Sequence, residues 1–395
     1  MKILMLTPYL PYPPSSGGQI RSYNLIRELA NKHQITLFSL IKHEYERQYI
    51  DKLKPFCHEI RVFKRAEEPW TLRNILNTGF SLHPFVVIRN FSREEKESIK
   101  TLLSQEKFDI IHAETFYVSP HIPQTNIPIV LVEQTIEYEV YNHYVKHYRF
   151  PLLSPLLYID VLKIKFWEIY YWRRARRVVA VSEDDAKVMR SQVTGLSVTV
   201  VPNGVGEDLI KLAPMHFNSR ILFIGNYDWL QNAEAARILA REVFPRIKNE
   251  LPESELVIAG QNTEKIQDLK TEGITLHDFA VDDVKSVQQV FRTSGVLVAP
   301  LYGPGGTRLK ILSAMAAHLP VVTTKIGNQG IDAVPNQSIM RGETSQQLAD
   351  TTIKLLKDRK LYEKIAQNAR KLVETKYSYE ILAKKLGAVY EDAKS

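Results

Sequence analysis

The sequence predicts an α/β protein with two parallel sheets covered by helices. Three observations lead there. A chain of 395 residues exceeds one ordinary hydrophobic core. Short β-branched runs alternate with helical patterns from end to end. The turn-forming Pro202-Asn203-Gly204, followed by the irregular Ala213 to Ser219, divides the runs into two series. The expected domains are 1–205 and 206–378, with a C-terminal helix over 379–395 that packs back towards the hinge or the first domain.

In the first series, strands are expected near Lys2–Leu6, Ile35–Leu40, Glu59–Phe63, Ile110–His112, Ile129–Val132, Val178–Val181 and Val198–Val201. In the second they fall near Ile221–Ile224, Glu255–Ile258, Ile274–Leu276, Val296–Ala299, Val321–Thr323 and Gln337–Met340. Both series are Rossmann-like, so ligands are expected at the carboxyl ends of the strands, in a cleft between the lobes.

Composition narrows the partners. The net charge of +8 is spread evenly, with 27 basic and 23 acidic side chains over residues 1–210 and 25 and 21 over 211–395. An even excess favours small anionic ligands or a membrane surface over nucleic acid. The single cysteine, Cys57, excludes an internal disulfide and a cysteine-based zinc cluster. With no signal-peptide core before Thr7-Pro8, a cytoplasmic setting is expected.

After the first strand, Thr7 to Arg21 runs through a proline-rich loop to Gly17-Gly18 at the start of a helix. Glycines let backbone approach a ligand, and Arg21 adds charge in the first turn. His112 lies inside a strand and reads as a hydrogen-bonded core residue. The stretch Phe150 to Trp172 contains Asp160, Lys163, Lys165, Glu168 and two prolines, which argues against a spanning helix. For Leu156 to Arg177 the preferred reading is a core helix using Trp167, Tyr171 and Trp172. Peripheral contact with the inner face of a membrane is the alternative. Asp184-Asp185 follows Ser182 and reads as a capped helix start, and no metal site is expected.

The most informative segment is Leu301 to Gln329. A strand ends in a loop with Gly303, Gly305 and Gly306, and a helix opens at Thr307 with Arg308 and Lys310 in its first turn. Two cations there oppose the helix dipole, unless an anion sits between them and the free backbone N–H groups. Thr307, Lys310 and Ser313 are three apart and share a face.

The order of these blocks resembles the retaining glycosyltransferases of the GT-B fold, specifically family 4, over nearly the whole chain. Ile221-Leu-Phe-Ile-Gly-Asn-Tyr-Asp-Trp-Leu-Gln-Asn232 resembles the family's F-x-G-x-x-x-W-x-x-N, and Pro300 to Pro320 resembles P-x-x-x-G-x-G-T-R-L-K-I-L-E-A-M-A. Phe108 to Glu114 is similar to D-V-V-H-A-E, and Glu133 to Tyr138 to x-H-N-x-E-Y. The resemblance implies transfer of a hexose from a nucleotide-diphospho-sugar, a UDP- or GDP-sugar, to a saccharide or lipid-linked acceptor, without cofactor or metal and with the anomeric configuration retained. Surface polysaccharide is the implied product.

It further implies Arg308 and Lys310 as stabilisers of the leaving diphosphate, with Glu114 and Glu137, at strand ends, binding acceptor hydroxyls or the incoming sugar. Gly17, Gly18, Arg21, Gly225, Asn226, Gly305, Gly306, Thr307, Ser313, Asn328 and Gln329 form the implied donor site. The leaving phosphate itself helps deprotonate the acceptor in such enzymes, so no protein base is required.

Departures from the pattern concentrate at the donor. Ser313 stands where relatives carry the glutamate that receives the ribose hydroxyls, Gly305 where some carry an acid, and Gln329 where an acid is usual in G-x-E-G. Gln134 replaces a histidine, and Asn226-Tyr227-Asp228 a basic pair. These changes motivate a second reading of another class, a degenerate relative that binds nucleotide or glycan as a scaffold. A nicotinamide oxidoreductase fares worse: Ser15-Ser-Gly-Gly-Gln-Ile is not G-x-G-x-x-G, and the second strand lacks a terminal acid for the ribose.

Overall fold

The computed structural model describes residues 1–146, 154–212, 217–303 and 308–395; Gly305, Gly306 and Thr307, and hinge residues 213–216, lie outside them. The chain forms two compact units, Met1–Pro202 with Ala383–Ser395, and Asn203–Leu382.

The first unit is built on β1 (Lys2–Thr7), β2 (Gln34–Ile41), β3 (Glu59–Lys64), β4 (Ile110–Glu114), β5 (Ile129–Glu133), β6 (Arg177–Ala180) and β7 (Val198–Val200). They form one sheet in the order β3-β2-β1-β4-β5-β6-β7, every neighbouring pair parallel. Such strands are covered on both faces, which is why they read as continuous apolar runs. All five residues of β4 are buried, and five of six in β1. Leu4, Leu6, Phe38, Ile111, Leu131 and Trp172 belong to the core on which the helices pack.

The second unit holds β8 (Arg220–Asn226), β9 (Glu255–Gln261), β10 (Ile274–Asp278), β11 (Val296–Ala299), β12 (Val321–Thr323) and β13 (Met340–Arg341), ordered β10-β9-β8-β11-β12-β13 and again parallel. All thirteen expected strands are therefore present. The thirteenth is displaced: instead of spanning Gln337–Met340 it begins at Met340. Gln337 and Ser338 donate their N–H groups back to Val334 O and form a turn.

Several helices begin as the sequence suggests. Gly17–Leu29 starts from a capping box in which Gln19 N donates to Ser16 Oγ and Ser16 N to Gln19 Oε1. Ser182 accepts from Asp185 N at 3.1 Å, so the acidic pair lies in a first turn. The helix after β11 differs, starting at Leu309 with Arg308 as its N-cap residue rather than at Thr307. The helix Ser154–Arg174 buries Trp172, but Trp167 and Tyr171 are only half-buried. Among the described residues no helix is long and apolar enough to cross a membrane.

The last turns of Tyr379–Lys394 belong to the first unit. The Tyr390 hydroxyl meets His112 Nδ1 at 2.7 Å, Asp392 pairs with Arg177, and Lys394 Nζ lies 2.8 Å from Asp109.

Candidate functional site

In the second unit, three loops leave the carboxyl edge of the adjacent strands β8, β11 and β12, on both sides of the point where the strand order reverses. Open α/β sheets bind ligands there. Thr324 ties two of the loops together: its hydroxyl donates to Leu301 O and accepts from Gly327 N at 3.0 Å.

The helix Leu309–Ala316 follows the second loop and buries Ile311, Leu312, Ala314, Met315 and Ala316. That apolar demand leaves Lys310 and Ser313, three residues apart, on the part-buried face. Lys310 Nζ donates to Asn232 Oδ1 at 2.7 Å and sits 4.4 Å from the centre of the Phe223 ring. Asn232 is itself oriented, because its Nδ2 donates to Asn226 O at 2.8 Å.

Gly225 makes room for this arrangement. A Cβ there would come within 3.1 Å of Lys310 Nζ and 3.0 Å of the Asn232 amide. Burial, and then the charge of Arg308, bring the Lys310 ammonium down to about 7. Arg308 is also lowered by burial; its Nη2 donates to Gly303 O at 2.6 Å, and its Nε has no hydrogen-bond partner among the described residues. Two cations are thus held together in partial burial, an arrangement that an anion would relieve.

Asn226, at the carboxyl end of β8, is held by its neighbours. Its Nδ2 donates to Gln261 Oε1 at 3.1 Å, while its Oδ1 accepts from Asn262 Nδ2 and Asp228 N. The side chain braces the loop. Asn328 donates to Ala333 O at 2.9 Å and keeps a buried Oδ1 without a partner among the described residues; Gln329 is exposed in the same loop. Asn232, absent from the implied donor site, closes the Trp229-x-x-Asn232 pattern and anchors Lys310.

In the first unit the equivalent edge belongs to β1, β4 and β5. Glu114 ends β4, buried, with Oε2 2.7 Å from His112 Nε2 and Oε1 accepting from Gln134 Nε2 at 2.6 Å. Gln134 Nε2 also donates to the Tyr9 hydroxyl at 2.6 Å. Burial alone would raise the Glu114 carboxyl, but His112, Arg21 and Gln134 outweigh it and hold the group below its ordinary range.

Arg21 does not stand in solvent at the helix start. It is fully buried, its Nη1 donating to Pro202 O at 2.7 Å and its Nε 3.7 Å from Glu114 Oε1. Gly18 faces the same cluster, since a Cβ on it would lie 2.7 Å from Gln134 Oε1 and clash with Tyr9. Gly17 is the first residue of that helix. Gln134 therefore lies between the glycine turn and the Glu114 carboxylate, bonded to Tyr9 on one side and to Glu114 on the other.

Glu137 is not at a strand end. β5 stops at Glu133, whose carboxylate accepts from Trp172 Nε1 at 3.0 Å, and Glu137 opens the helix Glu137–Lys146 one turn later. Burial, opposed by the charge of Arg89, raises Glu137 to about 7. Its N–H donates to the buried Glu168 carboxylate at 2.9 Å.

Family models match both units: glycosyltransferase family 4 over residues 15–209 and glycosyl transferases group 1 over residues 218–358. The chain is a GT-B glycosyltransferase. This glycosyltransferase is 21% identical over 397 residues to an uncharacterized 44.6 kDa protein in the cps region of Klebsiella pneumoniae, covering 95% of this chain and 96% of that one. Its fold is that of sucrose-phosphate synthase from Thermosynechococcus elongatus (TM-score 0.68, 15% identity, 99% of this chain and 98% of that chain). It is also that of Anabaena HepE in complex with UDP and glucose (0.66, 14%, 99% and 100%) and of an S. aureus TarM mutant in complex with fondaparinux, alpha-GlcNAc-glycerol and UDP (0.67, 12%, 98% and 99%).

Proposed function

We propose that this glycosyltransferase moves a hexose from a nucleotide-diphospho-sugar to a saccharide or lipid-linked acceptor, with retention and for surface polysaccharide. The observation that carries the reading is the Lys310 ammonium, held by Asn232 over Gly225 beside Arg308 at the carboxyl edge of β8 and β11. In transfer, the bond from the anomeric carbon to the β-phosphate oxygen breaks and its electron pair stays on the phosphate. The acceptor oxygen bonds to the same face of that carbon, and its proton passes to the departing phosphate. Charge grows on the phosphate as this happens, and cations already in place stabilise that charge more than the ground state. The UDP complexes of the HepE and TarM structures make UDP the first nucleotide to try, and the cps-region relative supports polysaccharide as the product.

A thermal-shift titration with UDP, GDP, ADP and their sugar conjugates, with NAD as control, tests the reading. A ligand at a hundred times its dissociation constant adds about 2.7 kcal/mol, which shifts the melting temperature by several degrees. A shift with one nucleotide, followed by transfer to an acceptor, supports the enzyme. Binding without hydrolysis or transfer supports the scaffold reading that Ser313 motivates.

Protonation of Lys310 makes that binding pH-dependent. A diphosphate stabilises the ammonium, so the bound form has the higher pKa. Affinity is then at its fullest below about pH 7 and falls up to tenfold per pH unit above it. Calorimetry at pH 8 in buffers of different ionisation enthalpy should show uptake of about one proton on binding UDP. Proton-neutral binding would remove Lys310 from the phosphate.

Ser313 shares the face of Lys310 and lacks the charge of the usual glutamate. Ser313→Glu is expected to tighten nucleotide binding by about 1–3 kcal/mol through a charge-assisted contact with the ribose hydroxyls. Unchanged or weaker binding would show that the ribose lies elsewhere.

A further inference from the structure

The first unit carries an amphipathic helix turned the unusual way out. Leu72–Phe80 buries only Asn74, while Leu72, Ile75, Leu76 and Phe80, on one helical face, are exposed, Phe80 by 91%. Flanking Trp70 and Leu82 are exposed as well, Leu82 by 82%. Trp70 stacks on Phe85 at 4.5 Å before the helix, and polar bonds clasp its end. Lys163 Nζ donates to Thr78 O at 2.6 Å and Ser81 O at 2.7 Å, and Trp167 Nε1 donates to Leu82 O at 2.9 Å.

Those clasping residues lie on Ser154–Arg174, the helix that also carries the exposed apolar side chains Leu156, Ile159, Leu162 and Phe166. Two helices therefore join one outward apolar surface of a kind that soluble proteins seldom leave uncovered.

Basic side chains outnumber acidic ones around it. Residues 69–82 include Arg73 and no acid, and exposed Arg173, Arg174 and Arg176 follow Phe166 within about three turns. Beside Leu72–Phe80 lies a cavity of about 1220 Å3, lined by Lys64, Arg65, Arg73 and Lys96 together with Phe80 and Phe91. Glu67 and Glu68 also line it; Lys64 and Glu67 pair at 2.7 Å and neutralise one another, which leaves Arg65, Arg73 and Lys96 against Glu68. Arg65 Nε is buried without a hydrogen-bond partner among the described residues.

We propose that the first unit docks on an anionic lipid bilayer through this surface. Leu76, Phe80 and Phe166 enter the headgroup–acyl boundary, and the cavity cations and Arg173-Arg174 take headgroup phosphates. A second copy of the chain would bring the same arginines face to face, whereas anionic lipid neutralises them. The surface lies outside the donor site, so its test is independent of transfer.

The experiment is cosedimentation with vesicles of phosphatidylcholine, with and without phosphatidylglycerol. The protein should pellet with phosphatidylglycerol vesicles and be released by salt. Leu76→Glu with Phe80→Glu should weaken this at least tenfold, and Arg173→Ala and Arg174→Ala about fivefold each, with the UDP thermal shift unchanged. Binding indifferent to phosphatidylglycerol, or unaltered in both sets of variants, overturns the proposal. So does a dimer in sedimentation equilibrium that Leu76→Glu with Phe80→Glu converts to monomer. If that variant fails to fold by circular dichroism, the arginine variants, at exposed positions, still decide.

Discussion

Lys310→Ala is expected to lower the rate of transfer by about two to three orders of magnitude while the second unit stays folded, because it removes a donor placed where phosphate charge develops. The loss should fall on kcat more than on KM. An interaction that strengthens as the bond breaks is felt in the transition state, whereas one made equally to the bound donor changes KM alone. Arg308→Ala should act in the same direction and less steeply, since its Nη2 is already engaged with Gly303 O. Initial rates with a donor and acceptor fixed by the thermal-shift screen, alongside circular dichroism of each variant, check both. Wild-type rates in the two variants would refute the phosphate assignment. Asn232→Ala separates positioning from contact: it releases Lys310 from its anchor, so kcat should fall while the second unit stays folded.

Glu114→Ala is expected to cost the first unit about 3–5 kcal/mol, the usual result of removing one member of a buried charged cluster. It takes the carboxylate from beside the buried Arg21 guanidinium and strips a partner from His112 and Gln134 at once. Urea denaturation followed through the fluorescence of buried Trp172, one of four tryptophans, against far-UV circular dichroism, measures it. A loss below about 1 kcal/mol would mean that the cluster is not structural, and Glu114 would return to the acceptor role. Glu114→Gln keeps the shape and should lose less.

The pH dependence has a definite sign. A carboxyl held below its unfolded value contributes stability that is present above the ordinary carboxylate range and is lost as pH falls through the folded value. Glu95, which burial raises to about 8, acts oppositely: its contribution declines as pH rises from about 4.5 to 8. Comparing wild type with Glu114→Gln at each pH cancels the Glu95 effect and leaves that of Glu114.

Much of the fold was legible because parallel strands covered on both faces leave a plain trace, a short apolar run between helical patterns. β13 was displaced because its register depends on a turn closed by Val334 O, which no local pattern announces. The cations after β11 were legible from the glycines before them. The helix start was not, since Arg308 is the cap residue and its guanidinium reaches back to Gly303. Least legible was the interior of the first unit's edge. Glu114 meets a glutamine 20 residues on, an arginine 93 residues back and, through His112, a tyrosine 278 residues away. Local spacing says that a carboxylate ends a strand; it does not say that both its oxygens are taken. The helix Ser154–Arg174 posed the opposite difficulty, carrying apolar and charged side chains all round its circumference, so that its buried and exposed sides could not be told apart by period.

The return of Ala383–Ser395 to the first unit has a consequence for how the protein is made. A ribosome delivers the strands of that unit long before it delivers Tyr390, and at ordinary elongation rates the interval is roughly ten to forty seconds. Throughout it, His112 has no phenol to meet and Asp109 no Lys394, while the second unit is synthesised and can fold. The nascent first sheet must therefore persist with these partners missing, and any premature stop in the final helix strands the half of the molecule that was translated first.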